Sequence, residues 1–244
     1  MARTHQVSIA IYRLHLAMFR YLNDAWIFTA LARPELKHQS DALLASKSKT
    51  KRSYPVPKKD RSVTSRRTDK DVGDVFKAQY ERGIFETQII SIVSRIEAFI
   101  QDCLFEAIRF EPKKLPVLGD RGIPIDLFLA HKDRDDLLES LVAQRCQDLM
   151  FGKPADYLAK VQKVLSIEID NGILAAYIEM KASRDVIIHN GGRINQIYKD
   201  KALTQARGDV GEELVIDADY FGDVIINTKL LSGAIQRETE KTYR

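Results

Sequence analysis

Phe85-Glu86-Thr87-Gln88-Ile89-Ile90-Ser91-Ile92-Val93-Ser94-Arg95-Ile96-Glu97-Ala98-Phe99-Ile100-Gln101-Asp102-Cys103-Leu104 is the stretch that decides the fold. Its apolar side chains at 85, 89, 92, 93, 96, 99, 100, 103 and 104, with Ala107 beyond, return every three or four residues and share one helical face. The spacing predicts a helix from near Asp74 to about Phe110, with a seam apolar enough to be fully buried. Such a seam needs other helices to cover it.

Candidates lie on both sides. Upstream, Val7, Ile11, Leu14, Met18, Leu22, Ala25 and Phe28 recur at helical spacing, and Phe19, Trp26 and Ile27 widen the stripe. Thr4 suits an N-cap, and Pro34 predicts the end of that helix. Downstream, Pro112, Pro116, Gly119, Gly122 and Pro124 mark an irregular connection. Asp133 or Asp135 starts a helix with Leu137, Leu138, Leu141, Val142, Cys146, Leu149 and Met150. Gly152 and Pro154 separate it from another, carrying Tyr157, Leu158, Val161, Val164 and Leu165. Asp170 or Asn171 caps a further helix through Ile173, Leu174, Tyr177, Ile178, Ala182, Val186 and Ile187, which Asn190-Gly191-Gly192 stops. Residues 207 to 216 suit a turn or short strand pair around Leu214, Val215 and Ile216. A last helix from about Asp219 carries Tyr220, Val224, Leu230, Leu231, Ala234 and Ile235. No segment alternates strand with helix. The expectation is an all-α bundle with an added helix at each end.

The 244 residues suffice for a sizeable core, and 45% apolar with 30% charged residues is ordinary for a globular protein. No uninterrupted apolar run reaches membrane-spanning length, and the N-terminus lacks the pattern of a signal peptide, so a cytoplasmic protein is expected. Cys103 and Cys146 fall within helical patterns and are read as buried thiols. The net charge of +4 is unevenly placed: residues 47 to 71 hold ten Lys/Arg against Asp60, Asp69 and Asp71, leaving the rest of the chain at −3. Its polar composition, with Pro55 and Pro57, predicts a mobile loop, either a solvated linker or a contact for nucleic-acid phosphates. The organisation is therefore an N-terminal helix over 1–33, a basic linker over 34–73, a helical bundle over 74–200 and an extension over 201–244.

Phosphate loops, dinucleotide fingerprints, His-Glu-x-x-His and Cys-x-x-Cys are absent from the sequence. His5, His15, His38 and His131 lack partners at metal-ligand spacing and read as surface or packing residues, so no metal or cofactor is expected. The candidate chemistry lies in Arg184-Asp185-Val186-Ile187-Ile188-His189-Asn190-Gly191-Gly192, where a phosphate-binding cation and a proton carrier meet at a helix end. Arg33-Pro34-Glu35-Leu36-Lys37-His38 has the same Arg-x4-His spacing. Its proline, expected to lie past a helix end, separates it from the first.

With the long helix bearing Glu86, Ile89, Ile96, Glu97, Phe99 and Ile100, and the closing Ser-Arg-Asp-Val-Ile-Ile-His-Asn-Gly-Gly, residues 74 to 200 resemble a HEPN domain of the RiboL-PSP and MAE-like group. A further tyrosine, Tyr198, belongs to that likeness. The resemblance implies a dimerising bundle, often a metal-independent ribonuclease acting as a toxin or phage-defence effector, restrained in some members by an antitoxin. It also implies a site of Arg184, His189, Asn190 and Asp185. Gly191 stands where a nucleotidylated tyrosine occurs in other members, so that mode of control is not expected.

Residues five apart on a helix lie about 140° apart, so one helix is a poor cradle for a phosphate between Arg184 and His189. Two copies around a two-fold axis would supply a cleft. The histidine could take the proton of an RNA 2′-hydroxyl, the arginine could bind phosphate oxygens and Asn190 could orient the group. The alternatives are a non-catalytic dimer binding RNA, nucleotide or protein, and a DNA-associated regulator, for which no recognition helix is evident. A bland reading places Arg184 and His189 as charges favourable near a helix C-terminus.

Overall fold

The buried seam of residues 84–110 is the axis of the molecule in a computed structural model, which describes residues 4–59, 61–119, 122–150 and 154–243. The side chains of Thr4, His5, Leu149 and Met150 lie outside that description, as does Gly152, so the readings made for them are not tested. Every apolar residue assigned to the seam is buried on α3 (Ile84–Phe110). The helix begins earlier than Asp74. Thr68 forms a capping box with Asp71 and starts α2 (Asp69–Ala78), and one π turn, Gln79–Gly83, joins α2 to α3. The Thr68 backbone bond, then its hydroxyl, hold the Asp71 carboxyl below its usual range.

α1 (Thr4–Ala45) does not stop before Pro34 but runs through it. Proline costs a helix one hydrogen bond and a steric clash. Here tertiary contacts compensate, since Arg33 Nε donates to the Tyr80 carbonyl at 3.2 Å and Ser40 Oγ to the Gly73 carbonyl at 2.9 Å. These pairs, with Tyr21 Oη 2.6 Å from Ser91 Oγ, set α1 antiparallel to α2 and α3. Val7, Ile11, Met18, Leu22 and Ala25 are buried as the spacing predicts. Phe19, Trp26, Ile27 and Phe28 are not, because α3 and α10 cover only one arc of the helix.

The segment read as a loop contains strands. β1 (Arg52–Lys58) and β2 (Arg61–Arg67) form an antiparallel hairpin, so the protein is mostly helical with one two-stranded ribbon among its described residues. The irregular connection holds a 3-10 turn, Pro112–Lys114, and two short helices, α4 (Leu115–Leu118) and α5 (Ile125–Ala130). The Asp133 carboxylate accepts from the backbone N–H groups of Asp135 and Asp136 and so starts α6 (Arg134–Met150). α7 (Pro154–Leu165) buries the five residues assigned to its inner face. Asp170 caps α8 (Asn171–His189), α9 covers Gln196–Ala202, and Asp217 caps α10 (Ala218–Thr242).

α1 and α10 are not appendages. Phe221 of α10 stacks on Trp26 and packs against Phe85, and Lys229 binds Asn23, so α10 runs antiparallel to α1 inside one common core. Leu230, assigned to the core, points outward. The boundaries drawn at 33/34 and 73/74 therefore do not coincide with breaks in the elements. Cys103 and Cys146 are buried and free; burial lifts Cys103 well above the ordinary thiol value and Cys146 to about 12.

Candidate functional site

α8 lies antiparallel to α3 because its later residues meet earlier ones there: Lys181 and Arg184 reach Glu97, and Gly192 lies against Arg82. This crossing places three charged side chains in a region that is otherwise core. Lys181 pairs with Glu97 Oε1, and Arg184 Nη2 lies 3.1 Å from each oxygen of the same carboxylate. The side chains are 9%, 18% and 12% exposed for Lys181, Arg184 and Glu97, so water screens them weakly. Arg184 Nη1 also lies 3.4 Å from Asp185, which Lys201 of α9 holds at 3.0 Å. The Arg184 Nε is buried and has no partner.

These groups line an open cleft of about 530 Å³, whose walls also include His189, Asn195, Tyr198 and Gln147. Arg184 and His189 therefore share one cleft in a single chain despite their angular separation. Lys181 and Asp185 explain how: on a regular helix they fall at about 60° and 100° from Arg184, on the arc leading to His189. Lys181, Asp185 and His189 follow one another at steps of four. His189 itself is exposed at the cleft edge.

Asn190 stands apart from the cleft lining. Its side-chain amide donates to the Arg193 carbonyl and its backbone N–H to Val186. Gly191 and Gly192 adopt φ of 57° and 78°, and Gly192 N–H returns to the Val186 carbonyl, closing the helix as the sequence predicts. A Cβ on Gly192 would collide with the Arg82 guanidinium, which also binds Glu86 and Glu213. The residues beyond pair with the 207–216 segment through Leu214 N–H to the Gly192 carbonyl and a bridge of Arg193 with Glu213. Leu214 and Ile216 are buried while Val215 faces out, so the expected strand pair is reduced to that bridge.

A second polar cluster supports the first from behind. Buried Glu179 accepts from Ser183, Tyr198, Tyr220 and Arg207, linking α8, α9, α10 and the segment before α10. Burial, then Glu179, pushes the Tyr198 and Tyr220 phenols up, so both stay neutral donors. Tyr198 is thus part of a satisfied network, with its ring on the cleft wall.

Sequence reasoning quoted Glu97 only for a likeness and did not find Lys181 or Lys201. Lys181 carried a usable signal, a cation within an apolar helix three residues before Arg184. No arrangement of three or more metal-ligating side chains occurs among the described residues. His131 packs, with its ring nitrogens at 2.8 Å from the Leu127 carbonyl and from Ser140 Oγ. No protein-family model matches this chain, and neither a curated protein nor a solved structure matches it.

Proposed function

We propose that this protein is an endoribonuclease of the HEPN type, working without a metal and serving as a toxin or phage-defence effector in the cytoplasm under the restraint of a partner protein. The reading is carried by one observation: a braced arginine and an exposed histidine line the same open cleft. His189 removes the proton from a 2′-hydroxyl, the 2′-oxygen attacks phosphorus, and the bond to the 5′-oxygen breaks. The leaving oxygen takes a proton from the histidine of a second copy, leaving a 2′,3′-cyclic phosphate and a 5′-hydroxyl. Arg184 stabilises charge on the phosphate oxygens. Glu97 and Asp185 fix its plane, and Asn190 holds the turn that presents His189.

The test is end-labelled RNA incubated in EDTA with the parent protein and with His189→Ala. Cyclic-phosphate fragments from the parent alone, with DNA untouched and both proteins of equal oligomeric state, are expected. A parent that cuts no RNA in a broad panel, or a variant that cuts as well, removes the proposal. A non-catalytic module binding RNA, nucleotide or protein is the second reading. Its support is that Arg184 is already engaged by two carboxylates, Glu97 and Asp185. It predicts binding without turnover.

A further inference from the structure

We propose that the β1–β2 ribbon is a separate binding surface for the sugar-phosphate backbone of RNA, outside the cleft. Its sequence argues against a purely structural role. The register sets Arg52 opposite Arg67 and Lys58 opposite Arg61. Like charges directly across an antiparallel pair repel. The ribbon buries little to offset this, since all residues of both strands are exposed except half-buried Tyr54 and Ser65. A hairpin of this kind is marginal by itself, and a polyanion would turn the repulsion into attraction.

The ribbon is also one-sided. Because side chains alternate, Arg52, Tyr54, Val56 and Lys58 share a face with Arg67, Ser65, Val63 and Arg61. That face has two cations at each end and an aromatic-apolar centre. The other face has Ser53, Pro55, Pro57, Ser62 and Thr64 with only Arg66. Among the described residues a single ion pair reaches the ribbon, Arg52 to Asp69 at 3.0 Å, and it ties the base to the start of α2. Lys58, Arg61 and Arg66 take part in none with a described residue.

The prolines exclude another occupant. Residues 55 and 57 point their backbone nitrogens the same way, and a ladder that persists through both must have that side outward. The outer edge of β1 therefore cannot accept an added strand, and Arg61, Arg66 and Arg67 along β2 discourage pairing at the other edge, so recognition falls to side chains. Along the helix the ribbon's base lies about 20 Å from Arg82, which touches the turn after His189, and about 40 Å from Glu97. A chain polymer fits that separation better than a mononucleotide does. RNA rather than another polyanion rests on the proposed ribonuclease reading.

The experiment uses the full chain carrying His189→Ala, so that binding is read whether or not the parent cleaves. A labelled single-stranded RNA of about 20 nucleotides is titrated at several salt concentrations, with and without Lys58→Gln, Arg61→Gln and Arg67→Gln together, the cations of that face outside the pair with Asp69. Loss of three phosphate contacts lowers the slope of log affinity against log salt by about two, and affinity falls by at least about tenfold near physiological salt. Backbone amides of β1 and β2 should exchange more slowly when RNA is added to the His189→Ala protein. Thermal melting and circular dichroism check that the triple variant keeps its helices. An unchanged slope and affinity in a folded variant overturns the inference. So does a variant that keeps RNA but loses phosphatidylserine vesicles, which would assign the ribbon to membranes.

Discussion

The chain contains Arg-x4-His twice, and the structure places both copies on helices, Arg33 and His38 on α1 and Arg184 and His189 on α8. The proline expected to disqualify the first copy does not end its helix. What separates the two is what surrounds them. Arg33 is exposed, lies over the Phe85 ring and donates to one backbone carbonyl, beside a small apolar groove of about 370 Å³ lined by Trp26, Phe85 and Phe221. His38 is exposed on the continuing helix. Arg184 instead meets the carboxylates of Glu97 and Asp185, and His189 opens onto the same cleft. A short motif acquires chemistry from the elements that cross it. Helical spacing alone does not supply that.

The comparison can be broken most sharply by paired histidine variants. His189→Ala should reduce RNA cleavage by about 10²–10⁴-fold, the usual loss for a general acid-base group, whereas His38→Ala should leave the rate unchanged. Equal effects would mean that the two motifs do not differ in the way the geometry indicates.

Next in size is the brace. Glu97→Gln leaves Lys181 and Arg184 poorly screened with no shared carboxylate, and breaking a buried pair from one side costs about 3–5 kcal/mol. The protein's partial exposure at this site puts the expected loss at the lower end of that range. Chemical denaturation measures it, and a loss below about 1 kcal/mol, as for a surface pair, would show that the brace is dispensable. Arg33 has no counterpart to remove.

The turn after His189 offers a smaller contrast. Gly191→Ala and Gly192→Ala both meet positive φ, which costs about 1 kcal/mol for a side chain. Only the Gly192 Cβ also meets the Arg82 guanidinium, while that of Gly191 meets nothing within 4 Å. Thermal melts should therefore rank Gly192→Ala as the less stable variant, and the reverse order would question the packing of Arg82 over the turn. Smallest in its effect on the cleft is Arg33→Ala, which removes an exposed cation–π contact worth about 0.5–1 kcal/mol and a bond to the Tyr80 carbonyl worth about as much. Its cleavage rate should match the parent's.

Much of the fold was legible because burial leaves a periodic record. The seam of α3 and the inner face of α7 were read residue by residue, and Asp133, Asp170 and the Asn-Gly-Gly stop marked helix ends through local hydrogen bonding. The ribbon was missed because Arg, Ser and Pro dominate it, and Tyr54, Val56 and Val63 are too few to outweigh a composition typical of disorder. The length of α1 was missed because Pro34 is a local stop signal that distant contacts at Tyr80 and Gly73 override. At the candidate site Arg184 and His189 were visible, while the partner that orients Arg184 was not.

By itself, then, the sequence determined which faces are apolar, where several of the longer helices start or stop, and that an arginine and a histidine stand near one helix end. These are local properties, carried by residues within a turn or two of each other. Only the tertiary structure decided that Glu97, 87 positions before Arg184, stands beside it. It alone joined α1 and α10 to the core and folded the basic segment into a one-sided ribbon. Each depends on how helices cross and how strands register, and charges brought together that way leave no fixed spacing in the chain.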